Sequence, residues 1–260
     1  MNPWPIVLPA AAGIAAGVAA WGAVSPTSQL FGPVLRRTAQ PSAIGLTFDD
    51  GPNPAITPKL LALLERYSAR ATFFLVGRFA RRCPELVREI SARGHAIGNH
   101  TETHPNLTLL LPARIEEELV RCQESIVSAV STGVMSPPAW MRPPFGFRGP
   151  QLWRAVRRAG LRGVVLWSIT GYDWKPQSPT RLIARLGRVT RRLSAPASGR
   201  DGNNARGGEI VLLHDGDFRQ LGADRTHVVS ALDHWLPRWR DMGAEYVTMD
   251  QAAGGASLEG

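Results

Sequence analysis

The sequence predicts an α/β protein built on parallel strands, and two observations carry the prediction. Strand-like and helix-like segments alternate about seven times between Ala43 and Met249, the pattern left by strands joined through helical crossovers. Seven such units in roughly 210 residues fit a barrel, or a barrel with a gap, better than an open sheet. At 260 residues and 44% hydrophobic content, the chain has room for one large domain or two small ones with a sizeable core. In a parallel barrel, functional side chains gather at the C-terminal ends of the strands. Each predicted strand end is therefore a place to look for chemistry.

From the N-terminus, Pro5 to Val24 carries no charge and is mostly Ala, Val, Ile, Leu and Gly. It reads as a membrane anchor or an atypical signal, since no Lys or Arg precedes it. Ser25 to Ser42 reads as a linker. Ala43 to Asp49 is a buried strand, with Ile44, Leu46 and Phe48 alternating with smaller residues. Thr57 to Tyr67 is a helix, with Thr57 as its cap, Pro58 in its first turn and a Leu-rich face. Strands are predicted over Ala71 to Val76 and His95 to Asn99, and helices over Pro84 to Arg93 and Pro112 to Ser131. Pro137 and Pro138 break the chain before Trp140-Met141-Arg142. Beyond them come a helix over Gln151 to Ala159, a strand over Gly163 to Ile169 and a helix over Pro179 to Leu193. Ser194 to Gly208 is Gly/Ser/Asn-rich and reads as an exposed loop. A strand over Glu209 to Leu213, a helix over Thr226 to Met242 and a strand over Tyr246 to Met249 complete the predicted domain, residues 43–250, before a short tail at 251–260.

The net charge is +9, and all of the 30 basic residues except Lys59 and Lys175 are arginine. The arginines are scattered and no nucleic-acid-binding motif accompanies them, so solvated helix faces account for them and no nucleic-acid partner is expected. Such a charge also attracts anionic envelope polymers and lipid head groups. Cys83 and Cys122 are too few for a disulfide framework; one bond or two free thiols are both open.

The strand ends carry the candidate chemistry. Asp49 and Asp50 close the first strand, followed by Gly51-Pro52. Neighbours on a strand point to opposite faces, so one carboxylate can bind a cation while the other stays free as a base. The same four residues are also turn formers. His100-Thr-Glu-Thr-His104 places two imidazoles four residues apart. Joined by Asp50 they make a two-His-one-Asp set with open positions, the ligand count of a catalytic divalent metal site. Arg142-Pro-Pro-Phe-Gly146 offers a guanidinium to clamp Asp49. Asp173-Trp174 offers a partner for a histidine and an aromatic wall for a sugar, and Leu212-Leu-His214 ends an apolar strand on a candidate general acid.

Taken in order, Thr47-Phe48-Asp49-Asp50-Gly51, His100-Thr-Glu-Thr-His104, Arg142-Pro-Pro-Phe-Gly146, Asp173-Trp174 and Leu212-Leu-His214 resemble the five motifs of the polysaccharide deacetylases, the NodB-homology or family 4 carbohydrate esterases. The resemblance covers about residues 43–250. It implies a deformed (β/α)7 barrel and a metal-dependent deacetylase of N-acetylated sugars, with O-acetyl esters or a non-catalytic sugar-binding role as alternatives. It assigns Asp50, His100 and His104 to a divalent ion, most often zinc, and Asp49 to the general base. Arg142 would tether Asp49, Asp173 would orient His214, and His214 would be the general acid. Phe145, Trp174 and Leu212 would line the substrate pocket. The chain departs from the family where Phe145 replaces a frequent Tyr and where Thr170 replaces a frequent Asp. A glycan substrate calls for work in the cell envelope, anchored or exported, although Arg36 and Arg37 after the apolar segment favour keeping its C-terminal side in the cytoplasm.

Overall fold

The structure is a computed structural model and describes residues 4–130, 137–194 and 207–254, with side chains from residue 13 onward. Most of the predicted loop at 194–208 and most of the predicted tail lie outside the described residues, as does the predicted helix end at Ser131.

The sheet is parallel and curls into a deformed barrel, with spatial order β1 (Val34–Leu35), β6 (Gly163–Val165), β5 (Trp140–Met141), β4 (Ala96–Asn99), β3 (Ala71–Leu75), β2 (Ala43–Gly51), β8 (Glu209–His214) and β7 (Ile169–Thr170), and with β9 (Glu245–Tyr246) beside β2. Its centre is β2 (Ala43–Gly51), buried at all nine positions. It lies between β3 (Ala71–Leu75) and β8 (Glu209–His214). A strand covered on both faces needs apolar residues on both. Ile44, Leu46 and Phe48 accordingly pack outward with the Leu face of α2 (Thr57–Arg66) and with α7 (Pro179–Leu193) and α8 (Thr226–Asp241). Inside the barrel, Phe74, Trp140, Val165 and Ile210 meet Met249 of α9 (Met249–Ala252), which plugs the N-terminal end. Gly45 leaves room for that plug: a Cβ would sit 2.4 Å from the Met249 methyl carbon, which would have to move aside.

The far side is built from β4 (Ala96–Asn99), β5 (Trp140–Met141) and β6 (Gly163–Val165). They are covered by α4 (Pro84–Ala92), α5 (Pro112–Ala129) and α6 (Leu152–Arg158).

Several elements differ from the sequence reading. The predicted strand Gly163 to Ile169 is two strands. β6 pairs with β5 and with β1 (Val34–Leu35), whereas β7 (Ile169–Thr170) pairs with β8. The chain changes partners to bridge the gap between the two ends of the sheet, where Leu166 N–H donates to Leu35 (2.8 Å) and Ser168 N–H to Ile210 (3.0 Å). The predicted linker therefore contributes a strand, and Arg37 bridges to Glu209 by an ion pair of 2.6 Å. Gly77 opens a helix, α3 (Gly77–Arg82), that the sequence reading lacks. The last predicted strand is β9 (Glu245–Tyr246) followed by α9, whose capping box is Thr248 with Gln251. Thr57 does not cap α2. Ile56 holds that position, and the Thr57 hydroxyl serves Asn53 and Asp215 instead. Both cysteines are free and buried.

The apolar N-terminal segment forms α1 (Trp4–Val24). Among the described residues no helix is long and apolar enough to cross a membrane.

Candidate active site

Strand order alone brings the predicted residues together. In the register of β2 and β8, Asp49 lies beside His214, and in that of β2 and β3 it lies beside Phe74. Between Asp49 and Gly51 the register slips, and Asp50 takes a positive φ of 71°. A bulge of this kind re-aims a side chain at a strand end. Simple alternation would send Asp50 away from Asp49; the bulge turns both carboxylates into one cleft of about 440 Å³. Asp49, Asp50, His100, His104, Phe145, Trp174, Leu212 and His214 all line it. Arg142 and Asp173 sit fully buried directly behind.

The Asp50 Oδ1 atom lies 3.4 Å from His100 Nε2 and 3.2 Å from His104 Nε2. It is buried and makes no well-formed hydrogen bond. His100 Nδ1–H donates to the Arg142 carbonyl at 2.7 Å, which fixes the tautomer and leaves the Nε2 lone pair facing Asp50. The three ligand atoms lie within 4.8 Å of one another, all buried. Two imidazoles and a carboxylate gathered at one point suit a divalent ion of borderline softness. Burial pushes the Asp50 carboxyl up, but the adjacent His100 and His104 imidazoles and the His214 charge hold it well below the usual carboxylate range.

The His100–His104 turn is held by groups that the motif does not reveal. Thr101 N–H donates to Asn99 Oδ1 (2.9 Å), and His104 N–H to the Thr101 hydroxyl (3.1 Å). Thr103 donates through its N–H and hydroxyl to Glu118 on α5 (2.8 and 2.9 Å). The Glu102 carboxylate turns away from the cleft to Arg81 and Ser125. It packs so closely on α3 that a Cβ at Gly77 would lie 2.0 Å from its Oε2. Thr101 and His104 both have positive φ, as does Phe145. Non-glycine residues in that region cost about 1–3 kcal/mol each and persist where surrounding contacts over-determine them.

Asp49 is fixed by Arg142. The guanidinium Nη1 donates to Asp49 Oδ1 (2.8 Å) and to the Thr47 hydroxyl (2.7 Å), while Nε and Nη2 donate to the carbonyls of Val165 and Leu166 (3.3 and 3.1 Å). The second Asp49 oxygen is 3.8 Å from His100 Nε2.

His214 is held by Asp173, whose Oδ2 accepts the His214 backbone N–H (2.6 Å) and whose Oδ1 lies 3.2 Å from Nδ1. That contact places a proton on Nδ1 and turns Nε2 to the cleft. Burial lowers the His214 pKa, but the Asp173 charge and hydrogen bond, with Asp50 and Asp49, outweigh it and raise the value to about 9. Such a raised pKa contributes stability that is fully present below about pH 6.5 and is lost as the pH rises through about 9. The contribution is roughly 3 kcal/mol. In metal-stripped protein, urea titrations are expected to show stability falling across that window and Asp173→Asn flattening the fall. Parallel curves for parent and variant would sink the pairing.

Trp174 stands at the mouth, edge-on to His214 at 5.5 Å, with Tyr172 beside it. Phe145 is half exposed and Leu212 is buried in the wall. Among the cleft residues and their neighbours to which the sequence reading gave no role are Phe218 and Asp215. Phe218 stacks on the His104 ring at 4.1 Å, four positions after His214 and with no motif to mark it. Asp215 is fully buried, accepts the Thr57 hydroxyl through Oδ2 and leaves Oδ1 without a partner. Burial, against the Thr57 hydrogen bond and with the Asp50 and Asp49 charges, raises its pKa to about 7. Adjacency to His214 was its one available signal.

These features define a parallel α/β barrel with two imidazoles and a carboxylate grouped so that they could hold a metal ion, beside Asp49 and His214, in one cleft. Residues 36–164 match the sequence profile of the family described as polysaccharide deacetylase, and the chain belongs to that family. It is 36% identical to a chitooligosaccharide deacetylase of Azorhizobium caulinodans, over 82% of this chain and 96% of that one. It is 32% identical to a peptidoglycan-N-acetylglucosamine deacetylase of Bacillus cereus, over 80% and 86%. Among solved structures, the Bc1960 peptidoglycan N-acetylglucosamine deacetylase, in complex with an N-hydroxybenzamide, superposes with a TM-score of 0.70 at 28% identity, covering 86% of this chain and 94% of that one.

Proposed function

We propose that the chain is a metal-dependent hydrolase that removes acetyl groups from N-acetylated sugars of an envelope glycan. One observation carries the reading: a clamped Asp49 and a proton-bearing His214 lie side by side in the cleft that holds Asp50, His100 and His104. Asp50, His100 and His104 would hold a divalent ion, zinc by its affinity for imidazole with carboxylate, which would supply Lewis-acid chemistry when bound. Asp49 takes the proton of a water as it adds to the acetyl carbon. The backbone N–H of Phe145 donates to the developing oxyanion. His214, kept protonated by Asp173, gives its Nε2 proton to the sugar nitrogen as the C–N bond breaks, leaving acetate and a free amine. Phe145, Trp174 and Leu212 form the walls on which an acetylated sugar stacks. The relatives are named for a chitooligosaccharide and for peptidoglycan N-acetylglucosamine. Those substrates favour amide over ester cleavage and a place in the cell envelope, with the chain anchored or exported through α1.

The test is acetate release from chitooligosaccharides, peptidoglycan and acetylxylan after chelation, with and without zinc restored. Zinc-dependent release from the N-acetylated substrates is expected. Release from acetylxylan alone would make the chain an esterase, and sugar binding without any release would make it a binding protein.

A further inference from the structure

We infer that the catalytic mouth works against a lipid bilayer and that its N-acetylated sugar is carried on a lipid, a substrate class that rests on the deacetylase reading above. The first observation is α1. Residues 13–21 are all exposed, and Pro5 to Val24 carries no charge. Ile14, Val18 and Trp21, on one face, are 70, 50 and 53% exposed. A helix apolar on all sides is normally buried, and among the described residues nothing covers residues 13–21 of this one. The whole helix, Trp4–Val24, is roughly 31 Å long, no described helix is long and apolar enough to cross a membrane, and an apolar helix of that kind can lie in one leaflet.

The second observation is that α1 is not a loose appendage. Arg148, almost fully buried, donates through Nη1 to Ser28 O (2.8 Å) and through Nη2 to the carbonyls of Gly22 and Ser25, while its own N–H donates to Ala23 O (3.0 Å). These contacts close the C-terminal end of α1 onto the segment whose Phe145, Gly146 and Phe147 line the cleft. Three residues further on, Gln151 Nε2 donates to the carbonyls of Leu107 and Leu110 (3.3 Å each). The loop held there presents Leu109 and Leu111, 80 and 78% exposed. One short segment, 145–151, thus ties together the cleft wall, the apolar helix and two of the most exposed leucines. Exposed apolar groups tied to one cleft-lining segment suit an interaction surface, and a net charge of +9 favours one that is anionic. A bilayer supplies both. With the mouth held at that surface, the sugar that reaches it is one standing on a lipid anchor.

The experiment uses the full chain with zinc restored and vesicles of phosphatidylethanolamine and phosphatidylglycerol. It compares an N-acetylglucosaminyl lipid embedded in them with a dissolved chitooligosaccharide. The chain is expected to float with the vesicles and to show at least about tenfold higher kcat/KM on the embedded substrate, interfacial binding scaling with buried apolar area. The exposed double variant Leu109→Glu/Leu111→Glu is expected to lose that advantage and keep the rate on the dissolved substrate. Chitooligosaccharide cleavage without vesicle binding, or a double variant equally affected on both substrates, overturns the inference and leaves the deacetylase reading standing. A lipid-free dimer that loses its contact on Ile14→Asp gives the helix to a second copy and overturns it as well. No acetate from either substrate overturns the deacetylase reading and, with it, the substrate class.

Discussion

Asp49→Asn is expected to lower turnover by about 10²–10⁴-fold, the usual worth of a positioned general base, while the protein keeps its metal. The reasons are geometric. Asparagine preserves the side-chain shape and still offers Oδ1 to the Arg142 Nη1 donor at 2.8 Å. It cannot take a proton from water in the cleft. Asp49 does not belong to the group of three ligand atoms, which is Asp50, His100 and His104. His100→Ala is expected to behave differently. It removes a proposed ligand atom and also the Nδ1 contact to the Arg142 carbonyl, so metal content and activity should both fall. Zinc measured by mass spectrometry after gel filtration, beside acetate release, separates the two cases. An Asp49→Asn protein as active as the parent would remove Asp49 from the role of base, and one that had lost its zinc would make it a ligand.

The contrast between two adjacent aspartates shows how far the sequence reached. Alternation of apolar residues through Ile44, Leu46 and Phe48 was enough to place a buried strand, and its end was enough to place two carboxylates. Ordered motifs at successive strand ends were enough to anticipate one cleft, because a parallel barrel brings all such ends to the same mouth. The bulge at Asp50 was not legible. It depends on β2 keeping register with β8 through Asp49 while slipping against β3, a property of three strands together. The same holds for Glu118, which supports the His100–His104 turn from a helix fourteen positions beyond His104. The division of residues 163–170 into two strands is set by the need to bridge the sheet's two ends. Phe218 and Asp215 went unremarked for a further reason: each gains its place from a packed neighbour, His104 or Thr57, rather than from a local pattern.

Arg142→Met is expected to lower stability by about 3–5 kcal/mol, the cost of leaving a buried charge without its partner. Asp49 is about 3% exposed and Arg142 not at all, so water does not replace the lost guanidinium. The loss extends beyond one ion pair. Arg142 donates to Val165 and Leu166, at the point where the chain leaves β6 to bridge the barrel's seam. It also donates to Thr47 on β2 and lies over the Phe74 ring at 4.4 Å. A single side chain thus joins the central strands to the seam, and its planar fork is what reaches four acceptors at once. Arg142→Lys keeps a charge for Asp49 but not that fork, and should fall between parent and Met. For a domain of this size the Met variant should unfold on the order of 10 °C earlier. Adding Asp49→Asn to Arg142→Met should recover part of the loss, because the uncompensated carboxylate is then gone. A cycle of parent, two single variants and the double variant measures the coupling directly. If the two losses simply add, Arg142 holds the seam without stabilising the charge on Asp49. If the Met variant melts with the parent, the clamp contributes nothing to the fold, and catalytic positioning is the one role left for it.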